Sequence, residues 1–188
     1  ADDHPVLHDP SGDSDVTLSA DQLTAPLEHG SQIGGMVAAG HVVLDALRAD
    51  GRHHLTAASS TLDLIPETQQ PSHFTATGNV EVTSKAQDGS MRRLRTQQLE
   101  VYFNTANASN SHMDRATGTA GTMDWENAGL GTSRQEADAM RLQGQFLDGS
   151  FDAAGVLREL RANGNVEVQK RTAGEGLTTS TSRELLAR

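Results

Sequence analysis

The chain has 188 residues, no cysteine and a formal net charge of −10, and only 3% of its residues are aromatic. This length suits one domain or one stacked array of repeats. The acidic balance argues against nucleic acid as a partner, because nucleic-acid-binding proteins need clustered Lys and Arg to displace counterions. The missing thiols exclude disulfides and thiol chemistry, and no apolar run approaches the ~20 residues that a membrane helix needs.

The first part of the chain differs in composition from the rest. Residues 1–15 are rich in Asp, Ser, Pro and Gly without apolar periodicity, which predicts a flexible N-terminal arm. Because the chain begins at Ala1 with no visible signal peptide, we expect a mature form or an excised fragment. From Val16 onward, apolar and polar residues alternate with the period of half-buried strands. Residues 16–188 are therefore predicted to form a single repeat domain.

Two patterns recur along this domain. The first places a glycine inside a strand pattern, in the segments Ala39–Leu44, Ala76–Val82, Ala116–Ala120 and Ala162–Val168, which centre on Gly40, Gly78, Gly118 and Gly164. The second begins with a leucine, at Leu18, Leu55, Leu94 and Leu177, with a degraded copy at Thr132 to Ala137. Four repeats of about 38–46 residues indicate stacked units that share one core. The glycines, and the asparagines after two of them, predict bulges that turn a corner.

Turn-forming residues separate the predicted strands. They lie at Asp50-Gly51, Asp88-Gly89, Asp148-Gly149 and residues 173–176. Pro66 and Pro71 bracket an exposed connection, and the polar stretch from Asn104 to Arg115 predicts a loop. The stretch from Arg134 to Leu142 is compatible with a helix, but its place in the repeat favours a strand.

The strand patterns each show one apolar face, and two such faces must meet. The residues predict an all-β, antiparallel and elongated fold, which is a twisted β-sandwich, a β-jelly roll or a flattened spiral. The predicted interior face comprises Val42, Leu44, Leu62, Leu64, Val80, Val82, Leu99, Val101, Phe103, Met140, Leu142, Val166 and Val168. These residues form either a closed core or the lining of an acyl-chain groove, which the small residues Ala38, Ala76, Ala116 and Ala162 make possible.

The polar residues do not form a pattern typical of catalysis. His53 and His54 are adjacent, so in a strand they point to opposite faces, and the other histidines are scattered. No nucleophile elbow or phosphate-binding loop is present. Glu81, Glu100 and Glu167 alternate with apolar residues and indicate a solvated sheet surface. We therefore predict no catalytic residue, no metal site and no cofactor.

The repeated Ala-x-Gly-Asn-Val-x-Val, followed by Leu-Thr-Ala-x-x-x-x-Leu and an aliphatic triplet, resembles the OstA-like family of periplasmic lipopolysaccharide-transport proteins. The best segments are Ala76–Val82 with Leu94–Phe103, and Met140–Val168. The resemblance implies an open β-jelly roll in the periplasm whose interior shields acyl chains of lipopolysaccharide or another acylated lipid. It also implies end-to-end docking with homologous jelly-roll domains.

Three functional classes remain open from the residues alone. A lipid-binding bridge and a closed β-repeat scaffold that binds only protein share the same alternation. A polysaccharide-binding or hydrolysing β-helix needs exposed aromatic residues, for which Trp125 and Tyr102 are the candidates. Terminal strands near Val16–Leu23 and Leu177–Leu185 are predicted to carry self-association, because unpaired backbone groups remain at a sheet edge.

Overall fold

The computed structural model describes residues 5–11, 14–28, 32–105, 112–126, 138–172 and 176–188. In these ranges the chain forms thirteen strands: β1 Val6–Ser11, β2 Ser14–Ser19, β3 Gln22–Thr24, β4 Leu27–Glu28, β5 Gln32–Ile33, β6 Gly35–Arg48, β7 Gly51–Leu64, β8 Pro71–Ala86, β9 Met91–Asn104, β10 His112–Glu126, β11 Ala139–Phe151, β12 Leu157–Thr172 and β13 Gly176–Ala187. The predicted all-β class is confirmed.

The strands form one large antiparallel sheet with a simple topology. The order is β1-β2-β6-β7-β8-β9-β10-β11-β12-β13, with β3 also paired to β6, and a separate ribbon joins β4 to β5. From β6 onward each strand pairs with the next in the chain, as a meander does. The sheet is not closed into a barrel, so the fold is an elongated, open β-jelly roll.

The sheet folds over so that its two halves bury the same face. Leu55 and Val80 lie in one half of the strands, whereas Leu99 and Val101 lie in the other half, beyond the strand midpoints. All four nevertheless belong to one core cluster. A cluster at each end of the sheet continues this core. Leu94 contacts two clusters, as Leu44 does, so the apolar interior is continuous along the molecule.

Bulges at the middle of three strands mark the line along which the sheet folds over, which we call the fold line. They confirm the bulges predicted from the glycine pattern. Two consecutive residues have positive φ at Gly40-His41 (73° and 48°), Gly78-Asn79 (81° and 52°) and Gly164-Asn165 (75° and 51°). At each pair the strand register shifts by one residue. Such bulges bend a strand and increase its twist.

The third repeat lacks this bulge, so the alignment of Gly118 with Gly78 is wrong. Ala76 of β8 and Gly118 of β10 both pair with Leu99 of β9, one from each side. Gly118 is therefore the counterpart of Ala76. Ala120 is the residue of β10 with a positive φ (52°), and the pairing continues past it without a register shift.

The leucine pattern also needs correction in the last two repeats. Leu55 and Leu94 pair with Val82 from its two sides, and Leu142 pairs with Val168 in the same way. Leu142 is thus the fourth copy, whereas the stretch proposed for it, 132–137, lies outside the described residues. Ser180 also pairs with Val168, so the expected copy at Leu177 is displaced by three residues.

Strands also occupy two stretches that were expected to be irregular. Residues 6–11 of the predicted arm pair in antiparallel fashion with residues 14–19, because backbone pairing needs no apolar pattern. β9 extends to Asn104 and β10 begins at His112, so only the middle of the predicted loop, 106–111, lies outside the described residues.

Of the four predicted turns, two are confirmed and one is wrong. Asp50-Gly51 and Asp88-Gly89 lie at strand connections, as predicted. Asp148-Gly149 lies inside β11, and the turn comes later, at Asp152 to Gly155. Gly149 faces the interior, where a Cβ atom would lie 3.0 Å from a methyl group of Leu157. Its small size therefore serves packing and not a turn. The predicted turn at 173–176 lies mostly outside the described residues.

Candidate lipid-binding interior

The longest apolar feature of the interior is a line of cross-strand neighbours that we call the leucine row. It runs across eight strands on one half of the sheet. In order of strands β2 and β6 to β12, its members are Leu18, Leu44, Leu55, Val82, Leu94, Met123, Leu142 and Val168. Adjacent strands are about 4.8 Å apart, so the row spans roughly 34 Å along the molecule.

Two parallel rows face it from the other half of the sheet. The row that we call the alanine row combines small residues with leucines: Leu23, Ala38, Ser60, Ala76, Leu99, Gly118, Leu147, Ala162 and Leu185. Bulkier residues start the next row, which comprises Met36, Leu62, Phe74, Val101, Ala116, Gly149 and Leu160. The interior is thus built from continuous rows and not from isolated patches.

Most of the thirteen residues predicted for the interior lie there. Buried are Val42, Val80, Leu99, Val101, Leu142 and Val166. Partly buried are Leu44, Leu62, Leu64, Val82, Phe103 and Val168. Their burial is what an apolar face requires, and it is equally compatible with a closed core.

Met140 is the exception, since 37% of its surface is exposed. It lies two residues before the buried Leu142, on the same face, but in the second position of β11, where the strands of the sheet begin and end. Its cross-strand neighbours are Trp125 and Lys170, and Trp125 in turn pairs with Arg92. We call this line the rim row. It replaces aliphatic side chains by amphipathic ones where the interior meets solvent.

The prediction omitted several interior leucines because strict alternation excludes them. Leu94 and Leu99 both face the interior although five residues separate them, and so do Leu142 and Leu147. In β9 and β11 the side chains that face the interior switch from even-numbered to odd-numbered positions at the fold line. At the same line β8 and β12 carry bulges, which keep their interior side chains at even-numbered positions. The sequence signal was a Leu-x₄-Leu pattern, which also occurs at Leu18 and Leu23.

Glycines replace larger residues in the interior between β10 and β11. Gly121 pairs with Gly144 near the fold line, and both are buried. A Cβ atom on Gly121 would lie 2.7 Å from Leu147 Cδ1, so the leucine occupies the space that the glycine leaves. The apolar interior therefore continues through the third repeat despite the missing bulge.

Thr96 is a polar residue buried at this part of the fold line. Its hydroxyl lies 2.6 Å from the Thr119 carbonyl oxygen, to which it donates a hydrogen bond. A buried hydroxyl without a partner would destabilise the fold by about 1–3 kcal/mol. This bond joins β9 to the corner of β10.

The outer face of the sheet is polar, but its glutamates are partly buried in a hydrogen-bonded network. Glu81 accepts from Arg95 Nε at 3.0 Å, and Glu167 accepts from Gln169 Nε2 at 2.6 Å. Asp124 accepts from Arg141 Nε at 2.6 Å, and this hydrogen bond raises the pKa of Arg141. These contacts give the outer face fixed geometry as well as solubility.

Five histidines of the described ranges each lie beside an aspartate. The pairs are His8–Asp15, His41–Asp21, His53–Asp50, His54–Asp45 and His73–Asp63, with N–O distances of 2.8–3.3 Å. Neighbouring His53 and His54 use different aspartates. Within the described ranges, no three His, Asp or Glu side chains come together as metal ligands would.

No helix among the described residues has the length and hydropathy needed to cross a membrane. No protein-family model, curated protein or solved structure matches the chain.

Proposed function

We propose that this chain is a non-enzymatic lipid-binding and bridging protein of lipopolysaccharide transport across the periplasm. Its apolar interior shields the acyl chains, and homologous jelly-roll domains extend the path by edge-strand docking. The observation that carries the proposal is the leucine row, an unbroken line of apolar side chains across eight strands.

The physical reason lies in the cost of exposing hydrocarbon to water. Each methylene group contributes about 0.8 kcal/mol, so an acyl chain of ten methylenes needs about 8 kcal/mol of shielding. A carrier that crosses an aqueous compartment therefore needs apolar surface along its whole length. The leucine row and the alanine row run parallel to the long axis and supply that surface.

The rim row supports an amphiphilic ligand. Arg92 and Lys170 are exposed and lie on either side of Trp125 and Met140 in this row. Acyl chains fit the interior beyond the row, whereas a polar headgroup remains near the two cations. Because Ala76 and Ala162 are fully buried, chains enter by separating the two halves of the sheet.

Site-specific photo-crosslinking tests the proposal. A small diazirine amino acid is placed at the inner positions Val101 and Leu142, and at the outer positions Glu100 and Gln143 of the same strands. We expect purified lipopolysaccharide to crosslink at the inner pair. Equal labelling at the outer pair, or none at the inner pair in a protein with an unchanged circular dichroism spectrum, would contradict it.

A second candidate function is a structural β-repeat scaffold that binds only protein. The tight packing around Gly121, where Leu147 fills the space of the missing side chain, favours this alternative. A closed scaffold gives no lipid crosslink at any inner position, yet it retains association through its sheet edges. The same crosslinking experiment therefore separates the two functions.

A further inference from the structure

The rim row continues across the sheet beyond the residues already described. Arg92 of β9 pairs with Ser84 of β8, which in turn pairs with His53 of β7. From β6 to β12 the row comprises Ala46, His53, Ser84, Arg92, Trp125, Met140 and Lys170. It holds two cations and a histidine but no carboxylate, although Asp and Glu outnumber Lys and Arg by 25 to 15 in the whole chain.

The surroundings of Arg92 and Lys170 differ from those of several arginines on the outer face. Arg141 Nε, for example, lies 2.6 Å from a carboxylate oxygen. Both Arg92 and Lys170 are exposed, and neither forms an ion pair with a carboxylate of the described ranges. Hydrogen bonds from Ser90 do most to lower the pKa of Asp88 in the adjoining turn, and the charge of Arg92 adds a weaker effect. The two cations are therefore available to a ligand.

The spacing of the row brings both charges to one apolar pair. Arg92 and Lys170 are three strands apart, roughly 14 Å between their backbones by strand spacing. Trp125 and Met140 occupy the two positions between them. Long cationic side chains lay their apolar stems along such neighbours and extend only the charge. A group that lies over Trp125 and Met140 is thus within reach of both cations.

The strand ends on the other half of the sheet are apolar instead. Phe103 and Met113 pack against one core cluster, and Leu157 packs against another. Trp125 packs against the same cluster as Leu157. The two borders of the interior therefore lie opposite each other, one of them cationic and the other apolar. This contrast gives an amphiphile a preferred orientation between the two halves of the sheet.

We propose that the rim row binds a phosphate-bearing headgroup of the amphiphile whose acyl chains the interior shields, an inference that rests on the proposed function. A phosphate monoester carries close to two negative charges at pH 7, which matches the two cations. Arg92 presents a planar fork of N–H donors that suits phosphate oxygens, and Lys170 supplies a point charge. The apolar ring of Trp125 lies where the headgroup meets the chains, and its indole N–H can donate to the headgroup.

Trp125 is the single tryptophan of the chain, so its fluorescence reports binding at the rim row. The test titrates the protein with three probes: lysophosphatidic acid with one myristoyl chain, the monoacylglycerol with the same chain, and glycerol 3-phosphate, which has no chain. The two amphiphiles differ only in the phosphate. We expect lysophosphatidic acid to bind at least tenfold more tightly than either other probe, because charged hydrogen bonds add to the burial of the chain.

A double variant tests the two cations directly. Arg92→Gln with Lys170→Gln removes both charges at exposed positions, so it should lower the affinity for lysophosphatidic acid about tenfold and leave that for the monoacylglycerol unchanged. Lys85→Gln with Arg171→Gln is the matched control. It removes the same charge from exposed positions on the outer face of the sheet, and it should bind all three probes as wild type does.

The outcomes separate this inference from the proposed function. Equal affinity of wild type for the two amphiphiles, or an unchanged affinity for lysophosphatidic acid in the Arg92 and Lys170 variant, would overturn the inference and leave acyl-chain shielding intact. Glycerol 3-phosphate binding as tightly as lysophosphatidic acid would also overturn it, since the row would then be a site for free phosphate. Binding of neither amphiphile would contradict the proposed function and this inference together.

Discussion

At the scale of single residues, the corners of the sheet place the strictest demand on side-chain identity. Gly78 and Asn79 adopt positive φ, a conformation that costs other L-residues about 1–2 kcal/mol. His41 occupies the position of Asn79 in the first repeat. Its Nδ1 lies 2.8 Å from Asp21 Oδ2, and this bond offsets part of the strain.

Gly78→Ala should therefore destabilise the protein more than Gly155→Ala. Both glycines have positive φ, at 81° and 76°, so the backbone strain is similar. At Gly78 the added Cβ would also lie 2.6 Å from the Ala58 Cβ, whereas nothing lies within 4 Å of it at Gly155. Urea unfolding measures both variants, and equal midpoints would contradict the tight corner at Gly78.

The alternation of Val166 and Glu167 allows a second comparison of neighbouring residues. Val166 is 1% exposed, so Val166→Asp should lower the free energy of unfolding by several kcal/mol, the cost of burying a carboxylate without a partner. Glu167→Ala removes a hydrogen bond from Gln169 on the outer face and should cost about 0.5–1.5 kcal/mol. Thermal melts compare the variants, and similar melting temperatures would place Val166 outside the interior.

At the scale of elements, the connection between β11 and β12 depends on one carboxylate. Asp152 accepts hydrogen bonds from the Val156 and Ala154 amides at 2.9 and 3.0 Å, and it pairs with Arg158. The bond from the Val156 amide does most to hold the pKa of Asp152 below its ordinary value. The charged form is therefore stabilised by folding.

This lowered pKa predicts how the turn responds to pH. Its contribution to stability is present above the pKa of an unfolded Asp, about 3.9, and is lost as the pH falls through the lower pKa of the folded state. Asp152→Ala should thus destabilise the protein more at pH 7 than at pH 3. Urea unfolding at both values checks this difference. If the difference were as large at pH 3, the carboxylate charge would have no part in the turn.

At the scale of the whole molecule, the sheet ends at β1 and β13. The predicted edge near Leu177–Leu185 lies in β13, the last strand of the sheet order. The predicted edge near Val16–Leu23 is only partly correct, since β1 covers β2. Most side chains of β13 are exposed and small or polar, so a neighbouring strand can approach its backbone.

We expect self-association through β13 to be sensitive to charge on this strand. Thr179→Lys with Thr181→Lys adds two lysines to the edge, and lysine discourages strand addition. Gln143→Lys with Gln145→Lys adds the same charge to the exposed outer face of β11 and serves as the control. Sedimentation velocity should show oligomers for wild type and the control but not for the edge variant. A wild type that stays monomeric at high concentration would contradict the expectation.

The local features of the sequence determined the class of fold. Alternation in residues such as Val80, Glu81 and Val82 marks a strand with one buried face, because successive side chains point to opposite sides. Gly78-Asn79 and Gly164-Asn165 mark bulges, because few other residues accept positive φ. Both signals depend on neighbours in the chain and need no knowledge of the other strands.

The tertiary structure decided which strand positions meet. Leu94 and Leu99 share the interior despite their opposite parity, and Gly118 is the counterpart of Ala76 despite its resemblance to Gly78. The outer surface depression lined by Tyr102, Arg115 and Phe146 likewise unites side chains from three strands. The Leu-x₄-Leu spacing marks such leucines, but local sequence does not say which residues meet, because the register changes at the fold line and cross-strand pairing assigns each residue its neighbours.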